Sequence, residues 1–138
     1  MSLNYRDASK RHFMDGEILL DSNRYPNADQ LYGLASECSL KAVMVGLGMQ
    51  VTNKGAPRDS AHKVHMPKLW MAFQSFAEGR LASRYLEPLP HLNPFGDWTV
   101  DQRYWLSNAI NADKTNKHRN AATVCRESLA LAVLDGVC

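Results

Sequence analysis

The sequence predicts an all-α protein, folded as an antiparallel bundle of four or five helices. Five segments carry apolar residues at helical spacing, whereas alternating runs of β-type residues are nearly absent. The second segment is apolar on almost every side, which is typical of a helix in the middle of a bundle. A chain of 138 residues has the usual size of one domain, and we expect this domain to span residues 4–135.

The first two predicted helices open the bundle. The first covers about residues 4–22 and has one apolar face. The second runs from Asn27 to Leu47, where Asn27 is the expected N-cap and Gln30 reaches back to it in a capping box. We expect its buried side chains to be Leu31, Ala35, Cys38 and Ala42, with Leu34 and Val45 close behind.

A third helix is predicted to begin near Pro67, because proline suits a first helical turn. It should end before Pro88, where several prolines force an extended crossing. Its wide apolar stripe consists of Leu69, Trp70, Phe73, Phe76, Ala77 and Leu81.

The remaining chain contains a short helix, a loop and a long helix. Thr99 and Gln102 form a second capping box, which should open a short helix that continues through Leu106. Residues 108–116 are polar and predict a loop. The last helix is predicted from about Lys117 to Asp135.

The composition excludes several classes of protein. Its 45% hydrophobic and 22% charged residues are ordinary for a globular domain and exclude disorder. The formal charge of only +2 excludes strong non-specific binding of nucleic acid through bulk charge. The longest apolar run, residues 42–51, falls well short of the ~20 residues that a membrane-spanning helix needs. The first residues lack the pattern of a signal peptide, so we expect no membrane association.

The cysteines indicate a reducing compartment. Cys38, Cys125 and Cys138 are odd in number, and no two of them have the spacing of metal ligands. Two lie on apolar stripes, where a reduced cysteine behaves as a small buried hydrophobe. We therefore predict a cytoplasmic protein. We also expect no metal site and no cofactor.

One sequence word carries a resemblance to a known family. Residues 27–42 read Asn-Ala-x-x-Leu-Tyr-Gly-Leu-Ala-x-Glu-Cys-x-Leu-Lys-Ala, and an acidic turn at residues 21–25 precedes them. This pattern resembles the first helical pair of HEPN domains, small helical domains named for nucleotide binding in higher eukaryotes and prokaryotes. The similarity is best over residues 8–47. It continues more loosely through residues 65–69, residues 97–104 and the last helix.

The resemblance implies a HEPN-like bundle that works as a binding module for RNA or nucleotide. It also implies a homodimer and, in toxin–antitoxin or stress-response systems, a nucleotidyltransferase-type antitoxin as partner. A separate observation favours the dimer. Large apolar residues are predicted on several helix faces, which leaves more apolar surface than one small bundle covers. These residues are Met44, Leu47, Met49, Trp70 and Trp105.

Many HEPN domains are ribonucleases, with an Arg followed after four to six residues by a His near the start of a late core helix. Three pairs here have that spacing: Arg6 with His12, Arg58 with His65, and Arg84 with His91. None of them begins a late helix, and about one such match is expected by chance. We therefore favour a binding module over an enzyme. The alternatives are a metal-independent ribonuclease with a displaced Arg/His site and a protein-interaction bundle with no nucleic-acid role.

A looser group of residues predicts an anion site. Helix starts favour anions because their first amides are unpaired, and charged residues gather at two expected helix starts. Glu37 and Lys41, one turn apart on the central helix, would reach the same region in a HEPN-like bundle. The candidate ligand-binding residues are Glu37, Lys41, Asp101, Arg103, Tyr104, His118 and Arg119.

Structural alternatives stay open for most of these residues. Asp101 can cap its helix or pair with Arg103, and His118 can simply be exposed. Glu37 and Lys41 can form a buried polar cluster that fixes the register of the bundle, with Arg103 or His12 as further partners. Aromatic residues could stack on bases, although on helical stripes they more often belong to a core. The aromatics in question are Trp70, Phe73, Phe76, Trp98, Tyr104 and Trp105.

Overall fold

The computed structural model describes all 138 residues and confirms the all-α class. Its α-helices are α1 (Tyr5–Asp21), α2 (Tyr25–Gly46), α3 (Lys68–Gly79) and α4 (Ala112–Leu134), and its 3₁₀ helices are Ser83–Tyr85 and Val100–Tyr104. The one β-type pairing is an isolated bridge between residues 51 and 57, so no sheet forms. None of the helices combines the length and the apolar character needed to cross a bilayer. The HEPN-like arrangement of the bundle stays a prediction.

The start of α2 differs from the prediction. The helix begins at Tyr25 instead of Asn27, because Pro26 occupies its first turn, where a missing N–H costs no hydrogen bond. The predicted capping box is therefore wrong. Arg24 is the N-cap residue and makes no side-chain cap. The amide of Gln30 donates to the Val100 carbonyl at 3.4 Å instead of reaching back along its own helix.

α2 is the central helix, packed between α1 and α4. The prediction of its buried face is confirmed at Ala35 and Ala42. It is wrong elsewhere: Leu31, Leu34 and Cys38 are only half-buried, and Val45 is exposed. The fully buried face also contains small and polar residues, including Asp29, Ser36 and Ser39. A pattern search for large apolar side chains cannot detect such a face.

Gly33 shows how a small residue on the inner face of α2 lets a large side chain pack against the helix. A Cβ atom built on Gly33 would lie 2.0 Å from Cε2 of Trp98, so only glycine lets the indole ring pack on the helix backbone. The indole Nε1 of Trp98 donates to the Asp29 carbonyl at 3.0 Å. Residues 93–104, which follow α3, are thereby fixed against the first half of α2. They carry much of the candidate site.

α3 bears the predicted aromatic stripe, and Trp70 and Phe73 on it are fully buried. The exception is Leu81, which was expected to extend that stripe. α3 ends at Gly79, and Leu81 adopts a positive φ of 53° with its side chain in solvent. The helix is therefore two turns shorter than a helix reaching Pro88 would be.

The capping box of Thr99 and Gln102 is confirmed. The Thr99 amide donates to the side-chain oxygen of Gln102 at 3.3 Å, and Thr99 Oγ1 accepts from the Asp101 amide at 3.3 Å. The helix it opens is a 3₁₀ helix that ends at Tyr104, short of the predicted Leu106. The two residues that follow Tyr104 therefore lie outside any helix and are exposed.

The predicted loop over residues 108–116 is wrong beyond residue 111. Asn111 Oδ1 accepts from the Lys114 amide at 2.9 Å and caps α4, which therefore starts at Ala112 instead of Lys117. The polar first turns of α4 are compatible with a helix because few of their side chains face the core. His118 consequently lies inside a helix, not at its start.

The residues that suggested a dimer interface mostly belong to the core of this chain. Met44, Met49 and Trp70 are buried within it, and Leu47 is half-buried. Only Trp105 of that group is exposed. The homodimer remains a prediction, and those residues no longer support it.

Candidate functional site

The predicted ligand-binding residues do not converge on one place. Asp101, Arg103 and Tyr104 lie exposed on the second 3₁₀ helix, whereas His118 is completely buried. Arg119 faces α1, as its ion pair shows. Glu37 and Lys41 belong to other local clusters. The predicted residues therefore lie in separate local environments.

His118 is the centre of a buried polar network. Its Nδ1 lies 2.6 Å from Asp29 Oδ1, and its Nε2 lies 2.8 Å from Asp97 Oδ1. The amide of Gln102 donates to the second carboxylate oxygen of Asp29, and the ring of Phe95 stacks on the imidazole with centroids 5.4 Å apart. Both ring nitrogens are engaged with carboxylate oxygens.

This network joins three parts of the chain: α2 through Asp29, α4 through His118 and residues 93–104 through Asp97. Burial opposes the charged form of Asp97, but hydrogen bonds from His118 and Lys117 outweigh it, so that the pKa of its carboxyl lies below the ordinary value. The expectation that His118 could be exposed is wrong. Its imidazole holds the fold together and offers no free nitrogen to a ligand.

Arg119 forms a second polar cluster with α1. Its Nε and Nη2 donate to the two oxygens of Glu17 at 2.6 and 2.9 Å, and the Tyr32 hydroxyl donates to the same carboxylate at 2.7 Å. These hydrogen bonds, that of Arg119 first, lower the pKa of Glu17. Burial, reinforced by Glu17, raises the pKa of the Tyr32 hydroxyl. Glu17 thus takes two of the five guanidinium donors of Arg119 and neutralises its charge.

Glu37 does not pair with Lys41. Its buried carboxylate accepts from the Met66 amide at 2.8 Å and lies 3.0 Å from Nδ1 of the exposed His65. The Lys41 ammonium lies 5.9 Å from the ring centre of Tyr5. Glu37 therefore bonds to His65 and Met66, in the segment that leads into α3, and not to the expected Lys41 or His12.

The residues of the three Arg/His pairs with ribonuclease-like spacing have different surroundings. Arg58 donates to the Val51 carbonyl at 2.8 Å, and Arg84 donates to Asp135 at 2.7 Å. Burial and the nearby Arg11 lower the pKa of His12. His65 is the one histidine of these pairs that a buried carboxylate orients.

An exposed strip of large side chains follows the second 3₁₀ helix. We call residues 103–106, Arg-Tyr-Trp-Leu, the aromatic strip. Tyr104 is 77% exposed and Trp105 is 45% exposed. The Arg103 guanidinium donates to the Val100 carbonyl at 2.7 Å and lies 4.6 Å from the ring centre of Tyr104. Arg103 is exposed and has no carboxylate partner.

A polar pocket continues the aromatic strip. Its volume is about 210 Å³, and Ser107, which lines it, directly follows the strip in the chain. Arg24 also lines it and forms no ion pair. The α2 start next to it has no side-chain cap, so backbone N–H groups there are free to donate. The pocket is lined by Asn23, Arg24, Pro26, Asn27 and Ser107.

Sequence reasoning identified part of this surface. It selected Arg103 and Tyr104 but placed Trp105 within a helix, and it did not select Arg24. The missed signal is the Pro26 next to Arg24, which moves the start of α2 and brings the arginine to it. Asp29 and Asp97 were also missed, because an isolated aspartate on an apolar helix or in a loop has no local motif.

No family model matches the chain, and no curated protein or solved structure is significantly similar to it. The resemblance to HEPN domains therefore rests on the sequence words themselves, above all on residues 27–42.

Proposed function

We propose that this protein is a binding module for single-stranded RNA, with the aromatic strip as its base-contacting surface. The observation that carries the proposal is the exposure of Tyr104 and Trp105 next to Arg103, with Arg24 lining the pocket that Ser107 shares. Neither arginine forms an ion pair. Base stacking on such side chains contributes about 1–3 kcal/mol per base. Free guanidinium donors supply charge-assisted hydrogen bonds to phosphate.

The arrangement suits single strands better than duplexes. Bases of a single strand are free to stack on exposed rings, whereas those of a double helix are stacked on one another. The low net charge of +2 also disfavours a mode of binding based on charge alone. The polar pocket beside the strip offers donors to a phosphate or to the edge of a base. A mononucleotide would use the same contacts with fewer stacking partners.

Titration of a labelled single-stranded RNA, followed by fluorescence anisotropy, tests the proposal. Tyr104→Ala should weaken binding about tenfold, the equivalent of one stacked base. Arg103→Ala should also weaken binding, and the affinity of this variant should depend less steeply on salt concentration.

Arg80→Ala is the matched control for Arg103→Ala. The Arg80 guanidinium also stacks on an aromatic ring, 3.5 Å from the centre of Phe76, but Phe76 is buried in the core. The Arg80→Ala variant therefore loses the same charge and the same kind of arginine–aromatic contact, but at a residue that is not part of the aromatic strip. Equal losses of RNA affinity in Arg80→Ala and Arg103→Ala would refute the proposed surface.

A metal-independent ribonuclease is the second candidate, favoured by one specific observation. The buried carboxylate of Glu37 holds Nδ1 of His65 at 3.0 Å, and Nε2 of this exposed histidine has no hydrogen-bond partner. A histidine oriented in this way can act as general acid or base. Cleavage of RNA in EDTA that His65→Ala abolishes would favour the enzyme. Binding without cleavage would favour the module.

Assembly and protein partner belong to the same proposal. We keep the homodimer and the nucleotidyltransferase-type antitoxin as predictions that the HEPN resemblance motivates. Light scattering at micromolar concentration measures the first directly. A mass of only 15.5 kDa, that of the single chain, would exclude a stable homodimer.

A further inference from the structure

A groove between α1 and α4 gathers positive charges that no carboxylate neutralises. Its volume is about 400 Å³. None of its three cations forms an ion pair, although six other ion pairs occur in the protein. The acidic neighbours in sequence, Asp7 and Glu127, do not line it. The groove is lined by Arg6, Lys10, Arg126, Leu129, Ala130 and Val133.

Arg126 is the best-placed cation of the groove. It is half-buried, and its Nη1 donates to Ser9 Oγ at 2.9 Å while its guanidinium lies 5.2 Å from the ring centre of Phe13. Burial lowers the pKa of this guanidinium, and no carboxylate counteracts that effect. A partly desolvated cation with a single neutral acceptor is unfavourable, and an anion in the groove would compensate it.

The hydroxyl that holds Arg126 is itself fixed. Ser39 Oγ donates to the Ala35 carbonyl at 2.8 Å, and the Ser9 and Ser39 oxygens are 2.7 Å apart. Because the Ser39 proton is used on the carbonyl, Ser9 donates to Ser39 and keeps a lone pair for Arg126. This buried chain of hydroxyls positions the guanidinium at the groove without using its remaining donors.

We propose that this groove binds the diphosphate group of an organic ligand. Three cations in one concave site match a multiply charged anion, and arginine donors suit the geometry of phosphate oxygens. The apolar side of the groove, formed by Leu129 and Val133, would contact the organic part. The site is separate from the aromatic strip in sequence and makes no use of its residues.

Calorimetric titration with inorganic pyrophosphate at low salt tests the charge of the site. We expect saturable binding of one pyrophosphate per chain, weakened about tenfold by Arg6→Gln and by Lys10→Gln, each of which removes one charge-assisted contact. Arg11→Gln is the matched control. It removes the same charge from the same helix, but Arg11 does not line the groove. No saturable binding, or an equal loss in Arg11→Gln, would overturn the proposal.

Further variants and ligands separate this site from the others. Arg126→Gln should abolish the binding of pyrophosphate, and Arg6→Gln and Lys10→Gln keep the test decisive if that variant does not fold. Tyr104→Ala should bind pyrophosphate like the unaltered chain, whatever its affinity for RNA.

ADP and an alkyl diphosphate distinguish two classes of organic ligand that carry a diphosphate group. If neither binds at least as tightly as pyrophosphate, the organic ligand is excluded.

Discussion

Two tryptophans, seven positions apart, have opposite environments. Trp98 is 1% exposed, donates its indole N–H to the Asp29 carbonyl and packs on Gly33. Trp105 is largely outside the core, and its indole N–H has no partner within the chain. A buried indole with a satisfied N–H serves the fold. An exposed indole beside free arginines is available to a ligand, so one short segment contains both the anchor and the proposed contact surface.

Among the variants compared, the loss of His118 should lower the free energy of unfolding most, because His118 helps to hold the segment that contains Trp98. His118→Ala removes the group between Asp29 and Asp97 and leaves the buried Asp29 carboxylate with only the Gln102 side-chain amide as donor. The lost hydrogen bonds to buried carboxylate oxygens and the cavity left by the ring should together cost about 3–5 kcal/mol. Urea denaturation would measure the free energy of unfolding.

His91→Ala serves as its control, because His91 is exposed and its removal should change the free energy of unfolding by less than about 0.5 kcal/mol. Equal stabilities of His118→Ala and His91→Ala would mean that the buried network does not hold residues 93–104 to the bundle.

Gly33 tests the role of Trp98 directly, because the indole ring packs on this glycine. Gly33→Ala places a Cβ within 2.0–2.4 Å of the indole and should cost about 1–3 kcal/mol, the usual penalty for overpacking a core. Gly79→Ala is the matched control, because a Cβ there meets no atom within 4 Å. The melting temperatures of the two variants should diverge. A Gly33→Ala variant as stable as Gly79→Ala would show that Trp98 can move away at little cost.

The sequence predicted the helices and only part of their boundaries. Periodicity identifies the buried face of α3, where large apolar side chains repeat, but not that of α2, where small and polar residues are buried instead. The starts of α2 and α4 depend on Pro26 and Asn111, local signals that compete with better-looking caps nearby. An error of five residues at the start of α4 was enough to assign His118 to the surface.

The site was harder to predict than the fold. The buried network pairs residues 21 to 89 positions apart in the chain, such as Asp97 and Asp29 with His118, and no spacing rule links them. Arg103 and Tyr104 were identifiable because they are neighbours beside a capping box. The exposure of Trp105 follows from the early end of a 3₁₀ helix, which depends on packing of the segment as a whole.

The ion pair of Glu17 with Arg119 predicts a modest dependence of stability on pH. Its hydrogen bonds lower the pKa of Glu17 below the ordinary 4.5, so the stabilisation is complete above that pH. It is lost as the pH falls through the lower pKa of the folded state. Since the pair is partly exposed, its contribution should not exceed about 1 kcal/mol.

Unfolding of Glu17→Gln measured between pH 7 and pH 3 would check this contribution. We expect the variant to be less stable than the unaltered chain near neutral pH and the difference to shrink toward acid. A constant difference over this range would show that the charge of Glu17 does not matter.

Trp105→Ala should have the smallest effect on stability and so provides the sharpest contrast with the anchor. Because the indole is half-exposed and unbonded, its removal should change the free energy of unfolding by less than about 1 kcal/mol, far less than the loss of His118. Its affinity for single-stranded RNA should nevertheless fall about tenfold. Trp105→Phe should retain most of the affinity, since a phenyl ring still stacks on a base. If Trp105→Ala binds RNA unchanged, or if it unfolds the protein, then Trp105 belongs with Trp98 as part of the fold and the aromatic strip is not the binding surface.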